Sequence, residues 1–246
     1  MTASYNQSYG AGTSVFFPSG ISGWHLVSQT PNESLTIDNT PKNADGDPIT
    51  ADGSRHVGGK QKQHTEVWAP DGDSSTLSSL TIGDIDDDKA IVSASLQCTN
   101  NGRPTLTLTG HVHDTKETES AEHIGDTLVC SFAFPTNAYG AVNPFPGAGD
   151  NIAAINDYEI TSSTQTFAVN HIDEPGRTGE FLVGASRGAT RTGQMSLTTA
   201  NTVTLGKGSG GWAITSKSQP TTNEGVVKLT VEGSMPIATM AQNDDT

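Results

Sequence analysis

Few side chains in this 246-residue chain stand at spacings that could do chemistry. Gly184-Ala185-Ser186-Arg187-Gly188 has the Gly-x-Ser-x-Gly form that lifts a nucleophilic serine above a sheet, and the strand-like Glu180-Phe181-Leu182-Val183 precedes it. That chemistry needs a helix directly after the serine, with the histidine later in the chain. Ala189-Thr190-Arg191-Thr192-Gly193 is a poor helix, and the last histidine, His171, comes before Ser186. A turn is expected there instead. Asp84, Asp86, Asp87 and Asp88 open like a calcium loop, but Lys89 stands where a glycine is required and Ser95 where a bidentate glutamate is required. A turn between strands is the first expectation, with Asp84, Asp86 and Asp88 as the carboxylates of a weak surface calcium site. His111 and His113 lie at i and i+2 on a strand exit beside Asp114, so they face one side together. No third ligand follows at a recognisable spacing, and a surface pair without a ligand role is expected. Gly206-Lys207-Gly208-Ser209 lacks the spacing of a phosphate loop and reads as a flexible turn. The expectation is a protein without catalytic residues or cofactor, and not an enzyme.

The remaining reactive or recognition-prone residues point inward. Cys98 and Cys130 each sit in an apolar strand-like run, which favours two buried free thiols over a disulfide. Trp24, Trp68 and Trp212 each lie beside a strand pattern, so core packing is expected rather than sugar-stacking platforms. The net charge of −14, from 27 acidic and 13 basic residues, opposes binding to nucleic acid or to an anionic membrane. It suits a self-repelling surface, a calcium-rich exterior or a saline habitat. Thr2 to Tyr9 carry no basic and apolar leader, and no stretch is apolar for long enough to span a bilayer. Synthesis and assembly in a cytoplasm are expected, with an extracellular location as the alternative.

The elements that must position these residues are β-strands. Leu106 and Leu108 alternate with Thr107 and Thr109, and Leu229 and Val231 alternate in the same way. Asn100-Asn101-Gly102 and Asn223-Glu224-Gly225 read as hairpin turns built on residues that tolerate positive φ. They join strands expected at about Ala90–Cys98 and Pro104–Gly110, and at Ala213–Gln219 and Val226–Glu232. Further strands are expected at Trp24–Gln29, Leu35–Ile37, Thr65–Ala69, Thr127–Phe134, Glu159–Ser163, Thr166–Val169, Glu180–Val183 and Gln194–Thr198. The best helix is a short turn at Asp150–Asn156.

The two hairpins also resemble each other. Ala90-Ile91-Val92-Ser93-Ala94-Ser95 matches Ala213-Ile214-Thr215-Ser216-Lys217-Ser218 at a spacing of 123 residues. Without a gap, Leu106-Thr107-Leu108-Thr109-Gly110 then meets Leu229-Thr230-Val231-Glu232-Gly233, and Leu80–Gly83 meets Val203–Gly206. Ser14-Val15-Phe16-Phe17-Pro18 and Ser131-Phe132-Ala133-Phe134-Pro135 offer a third marker. An internal repeat of this kind governs the fold assignment. The expected fold is all-β, with two tandem similar antiparallel β-sandwich or barrel units, long loops and little helix. The first unit covers residues 1–126, with a long loop at 38–63 and a linker at 114–126. The second covers 127–246, with a Gly- and Pro-rich loop at 136–149 and a shorter connector at Asn170–Gly179.

Two β units, each with a long loop near its start (Asp38–Gln63 and Asn170–Gly179), together resemble the duplicated β-domain tail-tube and tail-hub proteins of tailed phages. The resemblance implies domains that ring a channel, strands that join neighbours edge to edge, long loops that meet the next ring, and an acidic lumen. It implies a virion structural protein made in a host cytoplasm, partnered by copies of itself, as a hexamer or a trimeric pseudo-hexamer, and by other virion proteins. Sequence-specific nucleic acid and membranes are not expected as partners. A capsid or capsid-decoration protein is the near alternative, since duplicated units imitate a sixfold ring with three copies. An extracellular adhesin or carbohydrate-binding sandwich is a further alternative, and a β-sandwich hydrolase using unrecognised carboxylates is another.

Overall fold

A computed structural model describes residues 12–38, 56–72, 77, 80–83, 85–86, 89–112, 123–135, 140–145, 159–175, 181–199, 205–207, 211–218, 227–237 and 241–243. Among these there is no α-helix, and strands dominate. They are β1 (Trp24–Asp38), β2 (His56–Pro70), β3 (Leu80–Ile82), β4 (Ile85–Asp86), β5 (Lys89–Thr99), β6 (Thr105–Val112) and β7 (His123–Cys130). The second half adds β8 (Glu159–Pro175), β9 (Phe181–Thr199), β10 (Gly206–Lys207), β11 (Ala213–Ser218), β12 (Val227–Ile237) and β13 (Ala241–Asn243).

The main sheet runs β1-β2-β6-β5-β8-β9-β12-β11-β10. Every pairing along that path is antiparallel. β5 pairs with β8 from Ser93↔Ala168 to Thr99↔Ser162, so both halves contribute to one continuous sheet. β7 pairs with β3 in a small second sheet, with β13, and in parallel with β9. The boundary expected at residue 126 falls inside β7.

The two halves follow the same course. Four strands run β1-β2-β6-β5 in the first and β8-β9-β12-β11 in the second. Trp68 faces Leu106 across β2 and β6, and Leu197 faces Leu229 across β9 and β12. His64 and Gly193 face Gly110 and Gly233 in the same way. Irregularities coincide as well. The register slips between Leu26 and Ser28 against β2, and between Ile160 and Ser162 against β9. It slips between Ile91 and Ser93 in β5, and between Ile214 and Ser216 in β11. Bulges of this type insert a single residue and bend the strand locally. Gly83 and Gly206 both take positive φ where the chain enters these edges, at 89° and 124°.

Several strands are longer than their patterns suggested. Trp24–Gln29 and Leu35–Ile37 belong to one strand, as do Glu159–Ser163 with Thr166–Val169, and residues 181–183 of the expected Glu180–Val183 with Gln194–Thr198. Residues 56–63 of the loop expected at 38–63 are strand, because Asp38 pairs with His56 and the hairpin zips on from there, and residues 39–55 lie outside the described residues. The connector at Asn170–Gly179 likewise becomes strand as far as Pro175. Thr127–Phe134 is strand only to Cys130. The helix expected at 150–156 and the turn at 223–225 lie outside the described residues. The β5–β6 hairpin closes with Gly102 N–H on the Thr99 carbonyl at 3.4 Å, and Gly102 is not in the left-handed region.

One sheet face is buried, as the alternation in β6 shows: Leu106 and Leu108 are fully covered, while Thr105, Thr107 and Thr109 are half-exposed. Two clusters fill that face. One gathers Trp24, Trp68, Leu96, Leu108, Leu128 and Phe167. The other gathers Phe145, Met195, Leu197, Trp212, Ile214, Leu229 and Val231. The three tryptophans are core residues. Cys98 and Cys130 are buried free thiols.

Candidate functional site

The covering of this core includes no α-helix among the described residues. It is built from irregular straps, each held by a buried polar side chain. Glu66 is fully buried on β2. Its carboxylate accepts the Val15 N–H at 2.6 Å, the Phe16 N–H at 3.3 Å and the Trp68 Nε1–H at 3.1 Å. Ser14 Oγ lies 2.9 and 2.7 Å from its two oxygens and itself accepts the Phe17 N–H at 2.8 Å. His64 Nε2 stands 3.5 Å from the carboxylate without hydrogen-bond geometry. Gln165, also fully buried, grips the second strap: it accepts the Ala133 N–H at 2.9 Å and donates to the Ala133 carbonyl at 2.7 Å. Val142 N–H reaches Ser163 Oγ at 3.2 Å, and Ala141 N–H reaches Asn100 Oδ1 at 3.1 Å.

Each strap sets a phenylalanine on glycine. Phe16 lies over Gly110, and Phe145 lies over Gly193 and Gly233. A Cβ on Gly110 would come within 2.7 Å of Phe16, and one on Gly233 within 2.8 Å of Phe145. The spatial counterpart of Phe16 is thus Phe145, and the expected marker at Ser131–Pro135 is displaced: Ala133 sits on Gln165 instead.

Arg191 sits where the two clusters meet. Its guanidinium carbon lies 4.9 Å from the Phe167 ring centroid and 5.4 Å from that of Trp212, and Nη2 donates to Gln165 Oε1 at 3.4 Å. Burial lowers its pKa from the ordinary value, with the nearby Cys130 acting in the other direction. Burial also pushes the Cys98 thiol up to about 11 and the Cys130 thiol up to about 12, so both are neutral near pH 7.

The sequence-singled residues do not converge. Ser186 lies inside β9, which runs on as strand to Thr199, so the helix that a nucleophile elbow requires is replaced by strand. The turn expected there is strand as well. Asp86 pairs with Lys89 in the β4–β5 hairpin, and β5 occupies the rest of what a calcium loop would need. Asp84, Asp87, Asp88, His113 and Asp114 lie outside the described residues. His111, half-buried, pairs with Gln63 and Ala90 at the end of β6. Among the described residues, no group of three or more His, Cys, Asp or Glu stands together.

The surface that does stand out is the second face of the sheet. Residues paired across strands share a face, and here they form rows of hydroxyls. One row runs Thr99–Ser162–Ser196–Thr230–Ser218 across five strands. Another runs Thr30–Thr65–Thr109–Ser93, then Ala168 and Thr190. Ser95 and Thr166 share a hydrogen bond at 2.9 Å, and Ser196 and Thr230 share one at 3.2 Å. Cross-strand hydroxyl pairs of this kind stabilise a sheet and keep these rows polar. Glu232, which accepts from Gln194 at 2.7 Å and Ser216 at 2.8 Å, is the charged member of a third row, Thr164–Gln194–Glu232–Ser216.

No known family model matches the chain, and no curated protein matches it.

Proposed function

We propose that this chain is a non-enzymatic structural protein that assembles with copies of itself into rings or a tube, as a component of a virion. One observation carries the assembly reading. The halves repeat one strand order, one register and the same bulge positions, and the sheet they share ends on β1 at one side and on the short β10–β11 edge at the other. A tandem duplication accounts for that agreement, and a duplicated unit supplies two similar positions per chain to a cyclic assembly. Long edges left unpaired are sites of association unless another chain covers them.

The hydroxyl face supports the same reading. It offers an extended, weakly charged surface that carries no Phe, Tyr or Trp side chain among the described residues, suited to lining a channel or lying against a neighbour. The strap-covered face carries the core. The virion assignment itself rests on the resemblance of the sequence, as two β units in tandem, to tail-tube and tail-hub proteins. Sedimentation velocity across a hundredfold range of concentration tests the assembly: a discrete oligomer growing with concentration is expected, and a strictly monomeric protein would overturn the reading.

A further inference from the structure

The junction between the halves contains a template for a junction between molecules. β5 has two neighbours on its outer side. β4 pairs with Lys89 and Ala90, and β8 takes over from Ser93 to Thr99. β11 is the counterpart of β5, with Ile214 lying 123 residues after Ile91 at the same bulge. Its outer side is paired by β10 at Ala213 and Ile214. From Ser216 to Ser218, no strand pairs with that side among the described residues. The strand that holds the matching place beside β5 is β8, and β1 is the counterpart of β8: Ile160 lies 134 residues after Leu26 at the same bulge. β1 has no strand on its outer side among the described residues.

We infer that β11 of one copy pairs antiparallel with β1 of a second copy, in the register that β5 and β8 use within the chain. The inference rests on the assembly reading above and adds to it a specific interface. The register follows from the counterparts. Ser93↔Ala168 becomes Ser216 opposite Ser34, Ala94↔Phe167 becomes Lys217 opposite Glu33, and Ser95↔Thr166 becomes Ser218 opposite Asn32.

The chemistry at these positions agrees with the register. Ser95 and Thr166 are hydrogen-bonded side chain to side chain at 2.9 Å, and Ser218 with Asn32 can form the same kind of bond. Lys217 and Glu33 are opposite in sign, and a cross-strand pair of that kind is favourable. A slip of one residue would put every side chain on the wrong face, so the register is testable. The row Thr99–Ser162–Ser196–Thr230–Ser218 would run on into Asn32 and Gln63 of the next copy, leaving the polar face unbroken. The contact is head to tail, so it closes a ring where the rotation allows and otherwise extends a filament.

Directly opposed antiparallel residues have Cα atoms about 4.5–5.5 Å apart, within the range a disulfide spans. The test is mild oxidation of the full chain carrying Ser218→Cys and Asn32→Cys, read on non-reducing gels beside sedimentation of the same samples. The expected result is a reducible ladder of covalent multimers. The out-of-register pair Lys217→Cys with Asn32→Cys should give at least about tenfold less, because its thiols leave opposite faces. Ser95→Cys with Thr166→Cys, which should close within one chain, shows that the geometry permits the bond. Exchange of charge adds a second reading. Lys217→Glu should weaken association about fivefold, and adding Glu33→Lys should restore it. If the chain assembles yet both cysteine pairs cross-link equally or not at all, the register is wrong and the assembly reading stands. If the wild-type chain sediments only as a monomer, both fail.

Discussion

Replacing Glu66 with glutamine should loosen the first strap and lower stability by about 3 kcal/mol. The side chain is fully buried, and the Val15 N–H, Phe16 N–H, Trp68 Nε1–H and Ser14 hydroxyl all converge on its two oxygens. Hydrogen bonds to a charged group contribute about 1.5–3 kcal/mol, and a neutral amide weakens those it keeps. An amide also presents two hydrogens where the carboxylate had an acceptor, so at least one of the four donors loses its partner. A buried donor without an acceptor costs about 1–3 kcal/mol. Partial lifting of the strap to hydrate those groups would relieve some of this while uncovering Phe16 above Gly110. With a urea slope of about 3 kcal/mol per molar, a loss of this size moves the midpoint by about 1 M. Ser14→Ala should cost less, and the double variant should cost less than the sum, because both act on one network. Equilibrium urea unfolding followed by tryptophan fluorescence measures all three. A loss below about 0.5 kcal/mol for Glu66→Gln would refute the view that this carboxylate holds the strap.

Three further outcomes follow from the same packing. Gly233→Ala should destabilise by about 1–3 kcal/mol, because its Cβ would meet Phe145 at 2.8 Å and the Ala213 carbonyl at 3.0 Å, and thermal unfolding will show it. Arg191→Lys should destabilise by about 1–2 kcal/mol, since an ammonium cannot lie flat between Phe167 and Trp212 while reaching Gln165; the near-ultraviolet circular dichroism of Trp212 reports the change. The thiols of Cys98 and Cys130 have folded pKa values raised from 9.0 to about 11 and about 12, so their contribution to stability is complete below pH 9 and is lost as pH rises through those values. Stability measured at pH 8 and pH 10.5 should fall with pH, and a thiol reagent at pH 8 should react only on unfolding.

How much of this was legible in the sequence varies from strand to strand. β5, β6 and β11 could be read because Leu106, Leu108, Leu96 and Ile214 alternate with hydroxyl residues. β1, β2, β8 and β9 were read as fragments because their far halves run through Gly, Gln, Lys, Asn and Ser, and pairing within a long hairpin sustains those strands where apolar alternation ends. The match at a spacing of 123 showed in the β5–β6 hairpin because Leu106 and Leu108 meet Leu229 and Val231, and all four are buried. It faded in β2 and β9, where Glu66 and His64 stand in one and Met195 and Gly193 in the other, as different straps demand. Glu66 could have been noticed as an acid at core parity between His64 and Trp68. Its partner Ser14 lies 52 residues away, and nothing local points there. The hydroxyl rows are a property of register, which single strands do not specify.

An electron cryomicroscopy reconstruction of the assembled protein tests the central claim most directly. The account predicts one sheet passing from copy to copy, with the β5–β8 pairing inside each chain alternating with a β11–β1 pairing between chains. A map of oligomers joined through the strap-covered face, or fields of isolated single chains, would contradict it.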